Sequence, residues 1–168
     1  MFQHILLPTD GSQRSRDTAV RAVTFAKEGN AKITALYVKA LGRAGHYGDL
    51  IEPDLLERLS AGSGRKSEEY LGFIRKLCKD AGVDCKTISV VSERPWEAIT
   101  KAAEDRDCDL IFMSKHSRGE LASLLLGSET YRVLTHSSVP VLVYRAPETD
   151  AKRDKAKAKA KAKEKKKG

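Results

Sequence analysis

The chain is short of cysteine and of long apolar runs, and each shortage removes a class of protein. Three cysteines, Cys78, Cys85 and Cys108, are odd in number and lack close pairing. They form neither a disulfide framework nor a local zinc pattern and read as buried thiols in a reducing compartment. No apolar stretch approaches the roughly 20 residues needed to cross a bilayer. The opening Met1-Phe2-Gln3-His4-Ile5-Leu6-Leu7-Pro8 has no basic segment before its apolar run and reaches Asp10 too soon for a signal peptide, so a cytoplasmic location is expected. Several catalytic patterns are also missing: Gly-x4-Gly-Lys-Ser/Thr, a Gly-x-Gly-x2-Gly after the first strand, His-Glu-x-x-His and Gly-x-Ser-x-Gly. No spacing of Asp, Glu or His pairs a general acid with a base. No catalytic residue is assigned, and binding is favoured over turnover.

The charge is distributed very unevenly. The chain has 168 residues, with 31 basic and 23 acidic side chains and a formal net charge of +8. Residues 152–168 hold 10 of the basic and 2 of the acidic ones, which leaves 21 of each in residues 1–151. The folded part is formally neutral and the tail carries the whole excess. Lys155 to Lys163 alternates lysine with alanine and offers no side chain large enough for a core, so residues 147–168 are expected to be a disordered basic tail. Such a tail is a candidate contact for nucleic acid or another polyanion, with strong salt dependence and little base preference that vanish on deletion of residues 152–168. A plain solubilising extension is the competing reading.

The first 146 residues alternate strand and helix patterns. Phe2 to Leu7 reads as a buried strand that ends in the turn formers Pro8-Thr9-Asp10-Gly11-Ser12. Ala19, Ala22, Val23 and Ala26 recur at helical spacing between Ser15 and Gly29, and Gly29-Asn30 supplies a stop. Lys32 to Val38 suits a second strand, so the unit is a parallel crossover. Stripes at Leu55, Leu56, Leu59 and at Leu71, Ile74, Leu77, Cys78, Ala81 predict one long or slightly broken helix that ends at Gly82. Asp84 to Val91 is a third strand. Arg94-Pro95 opens a helix that packs through Trp96, Ile99, Ala102 and Ala103. Leu110 to Met113 is a fourth strand. Leu121, Leu124, Leu125, Ser128 and Tyr131 trace a helix face with a start near Gly119, and Val139 to Tyr144 is a fifth strand. Five strands alternating with four helical regions predict an α/β, doubly wound, mostly parallel, Rossmann-like sheet.

With its marks in order, the chain resembles the universal stress protein family over nearly all of residues 1–146. The matching stretches are Ile5-Leu6-Leu7-Pro8-Thr9-Asp10-Gly11-Ser12 and Asp109-Leu110-Ile111-Phe112-Met113. His116-Ser117-Arg118 then precedes Leu124-Leu125-Leu126-Gly127-Ser128, and the ending is Val139-Pro140-Val141-Leu142-Val143. The resemblance implies a sheet order of 3-2-1-4-5 and a homodimer paired through the final strand. In the family's ATP-binding branch the phosphate loop reads Gly-x2-Gly-x9-Gly followed by Ser or Thr. Those positions here are Ser114, Ser117, Gly127 and Ser128, so the last pair matches and the first two glycines are serines. A serine brings a hydroxyl, but its Cβ crowds a close approach by phosphate.

The candidate binding residues are therefore Asp10, Val38, Ser114, His116, Ser117, Arg118, Gly127 and Ser128, with ATP or another adenine nucleotide as the implied ligand. Each also has a plainer use. Asp10 either meets the base or sugar or caps Gln13 or Arg14. Val38 either lies under adenine or packs the sheet. His116 either touches ligand or closes the loop, and Lys115 and Arg118 either offset phosphate charge or point to solvent. Gly127 and Ser128 either meet phosphate or start the last helix, and Trp96 is expected to pack. The leading expectation is a stress-response regulatory or interaction protein whose client is not legible. Weak ATP or phosphoanhydride hydrolysis in the same crevice, and polyanion binding by the tail, are the alternatives.

Overall fold

Alternation of side chains along each strand builds two cores, one on either face of a single sheet. A computed structural model describes residues 1–39, 53–115 and 127–145. Its elements run β1 (His4–Thr9), α1 (Gln13–Gly29), β2 (Lys32–Lys39), α2 (Pro53–Ala81), β3 (Cys85–Val91), α3 (Pro95–Asp105), β4 (Leu110–Ser114), α4 (Ser128–His136) and β5 (Val141–Tyr144). The strands lie in the order β3-β2-β1-β4-β5 and every neighbouring pair is parallel. The order implied by the family resemblance therefore holds, and the sheet is parallel throughout.

The strand period of two sorts the apolar residues cleanly. Ile5, Leu7, Ile33, Ala35, Leu110 and Phe112 face α1 and α2, where Ala22, Ala26, Leu71, Ile74 and Cys78 complete a buried cluster. Leu6, Leu36, Ile111 and Met113 face the opposite way and meet Ile99, Ala102 and Ala103 of α3 and Val133 of α4. Both sheet faces are thus covered, as a parallel sheet requires. Ser12 caps α1 by accepting from the Ser15 N–H, and Asn30 closes it in a left-handed conformation at φ 52°. Helix α2 continues without a break through Ala61-Gly62-Ser63-Gly64. The glycine penalty, about 1 kcal/mol each against alanine, is met by the buried stripe of Leu71, Ile74 and Cys78.

Three boundaries differ from the sequence pattern, each for a local reason. β1 runs on through Pro8 to Thr9, because Pro8 and Thr9 pair in register with Leu36 and Tyr37 of β2. The helix expected to carry Ser128 and Tyr131 on one apolar face from near Gly119 does not pass through Gly127, which is extended at φ −61° and ψ 148°. Helix α4 starts afresh at Ser128; Ser128 is exposed, Tyr131 is 60% exposed, and Thr130 and Val133 are buried instead. β5 starts at Val141, just after Pro140, as an edge strand. Residues 40–52, 116–126 and 146–168 lie outside the described residues, as do the Leu55, Leu56 and Leu59 side chains and the basic tail. Among the described residues no helix is long and apolar enough to cross a membrane.

All three cysteines are free, with Cys78 and Cys108 buried and Cys85 half-buried. The Cys85 thiol, together with burial, pushes Cys78 up, and burial pushes Cys108 up to about 11. Trp96 packs in the second cluster with its ring 4.6 Å from that of His136, which is the packing role expected of it.

The start of the central strand pair is pinned by one carboxylate. Asp109 accepts from the Gln3 N–H at 2.8 Å and the His4 N–H at 2.9 Å, and its own N–H donates to the His4 carbonyl at 2.9 Å. Partial burial raises its pKa, but these donors outweigh it and hold the carboxyl below its ordinary range. A depressed carboxylate contributes stability that is present above its unfolded pKa of about 3.9 and is lost as pH falls through the lower folded value. Asp109→Ala is expected to cost about 1–3 kcal/mol at pH 7, with the gap to wild type closing below about pH 4. Urea unfolding at pH 7 and pH 3 measures both; a gap of the same size at pH 3 contradicts the assignment.

Candidate functional site

Strand β1 is hydrogen-bonded on both sides at its beginning and on one side at its end. It pairs with β2 from His4 to Thr9, whereas its register with β4 covers Ile5–Leu110 and Leu6–Ile111. The Gln3 carbonyl accepts from the Lys32 N–H, and the His4 carbonyl accepts from the Asp109 N–H. With a period of two, odd residues of β1 turn their peptide groups to β2, and His4, Leu6 and Pro8 turn theirs to β4. Proline has no N–H to donate. The β1–β4 register accordingly ends at Leu6–Ile111, ahead of Pro8.

A cavity of about 510 Å³ opens there, at the point where the strand order reverses. Its apolar lining is Pro8, Leu36, Val38, Pro95, Ile99 and Met113. The rest of the lining is Thr9, Asp10 and Ser15 from the first crossover and Ser114, Gly127, Ser128, Glu129 and Thr130 from the last.

The turn after β1 is rigid and self-satisfied. The Thr9 and Ser15 hydroxyls are 2.6 Å apart, Ser15 Oγ accepts from the Asp10 N–H, and Thr9 Oγ1 accepts from the Gly11 N–H. Asp10 Oδ1 accepts from the Ser12 N–H at 3.0 Å, and Ser12 in turn caps the helix. Asp10 thus secures the turn one step before the cap, on the Ser12 N–H. Because the N–H groups of residues 10–12 are all engaged by side chains, this turn has none to offer a phosphate. Helix α2 holds the turn from outside. Gly11 sits at φ +74° directly against the Tyr70 ring, Tyr70 meets Tyr37 edge-on at 5.4 Å, and Arg16 bonds Glu69 at 2.8 Å while lying over Phe73.

The β4–α4 side is open by comparison. Among the described residues no side chain caps the α4 N-terminus at Gly127, and Ser128, Glu129 and Thr130 of its first turn line the cavity. Thr130 Oγ1 donates to the Ser114 carbonyl at 3.4 Å and ties this helix to the end of β4. Glu129 reaches across to α3, where its Oε2 accepts from the Trp96 N–H at 2.9 Å. Helix α3 has no side-chain cap of its own.

The fold thus brings together Asp10, Val38, Ser114, Gly127 and Ser128 around one cavity. His116, Ser117 and Arg118 lie outside the described residues. Lys115 continues from β4, with its N–H on the Tyr144 carbonyl. Sequence reasoning missed Ser15, Glu129 and Thr130 in the lining and Tyr70 behind it. Pro95 at a helix start was the one available signal that α3 points an N-terminus this way. Among the described residues no group of three His, Cys, Asp or Glu side chains could hold a metal ion.

A family model described as the universal stress protein family matches residues 1–145. Universal stress protein MJ0531 of Methanocaldococcus jannaschii is 30% identical over 150 residues, which span 89% of this chain and 86% of that one. Universal stress protein MJ0577 of the same archaeon is 32% identical over 161 residues, 86% of this chain and 96% of that one. The solved MJ0577 structure aligns with a TM-score of 0.70 at 31% identity over 89% of this chain and 99% of that chain. A solved universal stress protein in complex with cAMP aligns with a TM-score of 0.60 at 25% identity, covering 86% of this chain and 97% of that one.

Gly11 gives the first test of this architecture. Gly11→Ala puts a Cβ into the Tyr70 ring at a left-handed φ, and about 2–3 kcal/mol of stability should be lost. Adding Tyr70→Ala should recover the steric share but not the backbone share. Thermal melts of both variants measure this; a Gly11→Ala protein as stable as wild type contradicts the packing.

Proposed function

This chain belongs to the universal stress protein family, and from that membership we propose that it binds an adenine nucleotide in the β1–β4 crevice and acts through binding rather than turnover. The observation that carries the proposal is a cavity at the switch point of the sheet whose lining combines apolar side chains with a carboxylate, hydroxyls and the start of a helix. Leu36, Val38 and Met113 suit the flat, weakly hydrated face of a purine. The Asp10 carboxylate suits ribose hydroxyls, which it can accept as hydrogen bonds. Ser114, Gly127 and Ser128 stand at the start of α4, where N–H groups and the helix dipole favour an anion. His116, Ser117 and Arg118 belong to the same proposal as further phosphate contacts. The cAMP held by a related fold supports an adenine ligand.

The regulatory consequence is a shift between states with different partners. A second copy is the proposed first partner, joined along the β5 edge. That strand is half-buried, and α4 beside it leaves Tyr131 and Leu134 exposed by 60% and 41%. A stress-response role by interaction follows from such a switch, with the client protein set by surfaces outside this crevice.

Calorimetry with AMP tests the binding. Val38→Trp, which crowds the apolar lining, should abolish the heat of binding while the melting temperature stays within a few degrees. Asp10→Ala should weaken affinity about tenfold, the scale of one lost charged hydrogen bond. Unchanged AMP affinity in both variants contradicts the proposed site.

A further inference from the structure

Resting on that nucleotide reading, we infer that Glu129 sets the ligand class: the crevice takes adenosine or an adenine mononucleotide and discriminates against the triphosphate. Three observations converge on this residue. Glu129 lies in the first turn of α4 and lines the cavity, so a carboxylate already offsets the positive end of the helix that would receive phosphate. Its Oε2 also accepts from the Trp96 N–H, in the first turn of α3, a helix without a side-chain cap of its own whose Pro95 lines the same cavity. One side chain therefore dampens both helix N-termini that converge on the site. Finally, the charged side chains among the described lining residues are Asp10 and Glu129, and both are acidic.

The consequence for ligands follows first from the charge of the described lining. Adenosine adds no charge and is indifferent to Glu129. A single phosphate can still use the remaining N–H groups at Ser128 and Thr130. A triphosphate brings further negative charge close to a fixed carboxylate in a cavity where the screening of bulk water is reduced. Ser114, in place of the first family glycine, acts in the same direction, because its Cβ narrows the backbone approach that a long phosphate chain needs. A ligand with no more than one phosphate suits all of these features.

Glu129→Gln separates charge from structure, because the amide oxygen can still accept from the Trp96 N–H. Adenosine, AMP, ADP and ATP are titrated calorimetrically into both proteins in magnesium-free buffer. In wild type, AMP should bind about tenfold more tightly than ATP. In Glu129→Gln, ATP should gain about tenfold, AMP less, and adenosine should stay within about twofold, with an unchanged melting temperature. ATP as the tightest wild-type ligand, or ATP affinity unmoved by the substitution, overturns this inference and leaves the nucleotide site standing. An equal gain for adenosine overturns it as well, because the effect is then steric. If none of the four ligands binds wild type, the nucleotide reading falls and this inference falls with it.

Discussion

Pro8 cannot donate a hydrogen bond toward β4, and the β1–β4 register stops at Leu6–Ile111, beside the candidate site. Proline in a central strand is ordinarily excluded because it breaks a ladder. Here the break falls where the ladder ends, and the β2 side of the same strand continues through Pro8 to Thr9. At the other end of the pair, Asp109 clamps the start of β1 through two N–H groups. The pair is clamped at its start, and the cavity lies at its carboxyl end, where the strand order reverses.

The two sides of that opening have been given different tasks. On the β1 side every N–H of the turn is answered by a local hydroxyl or carboxylate, and Tyr70 is packed against Gly11 so that the turn has little room to move. It presents the Asp10 side chain and no backbone donors. On the β4 side, among the described residues, the α4 start carries no side-chain cap. Ser114 and Gly127 to Thr130 line the cavity there, beside the carboxylate of Glu129.

Most of the architecture was legible because a two-residue period and a 3.6-residue period leave distinct marks. Ile5, Leu7 against Leu6, and Leu110, Phe112 against Ile111, Met113, announce strands buried on both faces. Ala19, Ala22, Val23 and Ala26 announce the helix between them. Pro8 was misread as a stop because its effect depends on which neighbour its peptide group faces, and that is a property of the sheet. The apolar run Leu121 to Leu126 suggested a helix continuing through Ser128 and Tyr131, but Gly127 is extended and α4 turns Thr130 and Val133 inward instead. Glu129 was invisible for a similar reason: its partner, the Trp96 N–H, is 33 residues away along the chain. Asp10, Val38, Ser114, Gly127 and Ser128 came from family resemblance, which identified positions but not the charge balance around them.

The most direct measurement is a crystal structure of the full chain grown with AMP. The account predicts a purine against Leu36, Val38 and Met113, the ribose beside Asp10 and the phosphate at the start of α4. A crevice closed by its own side chains, or AMP bound elsewhere on the molecule, would contradict it.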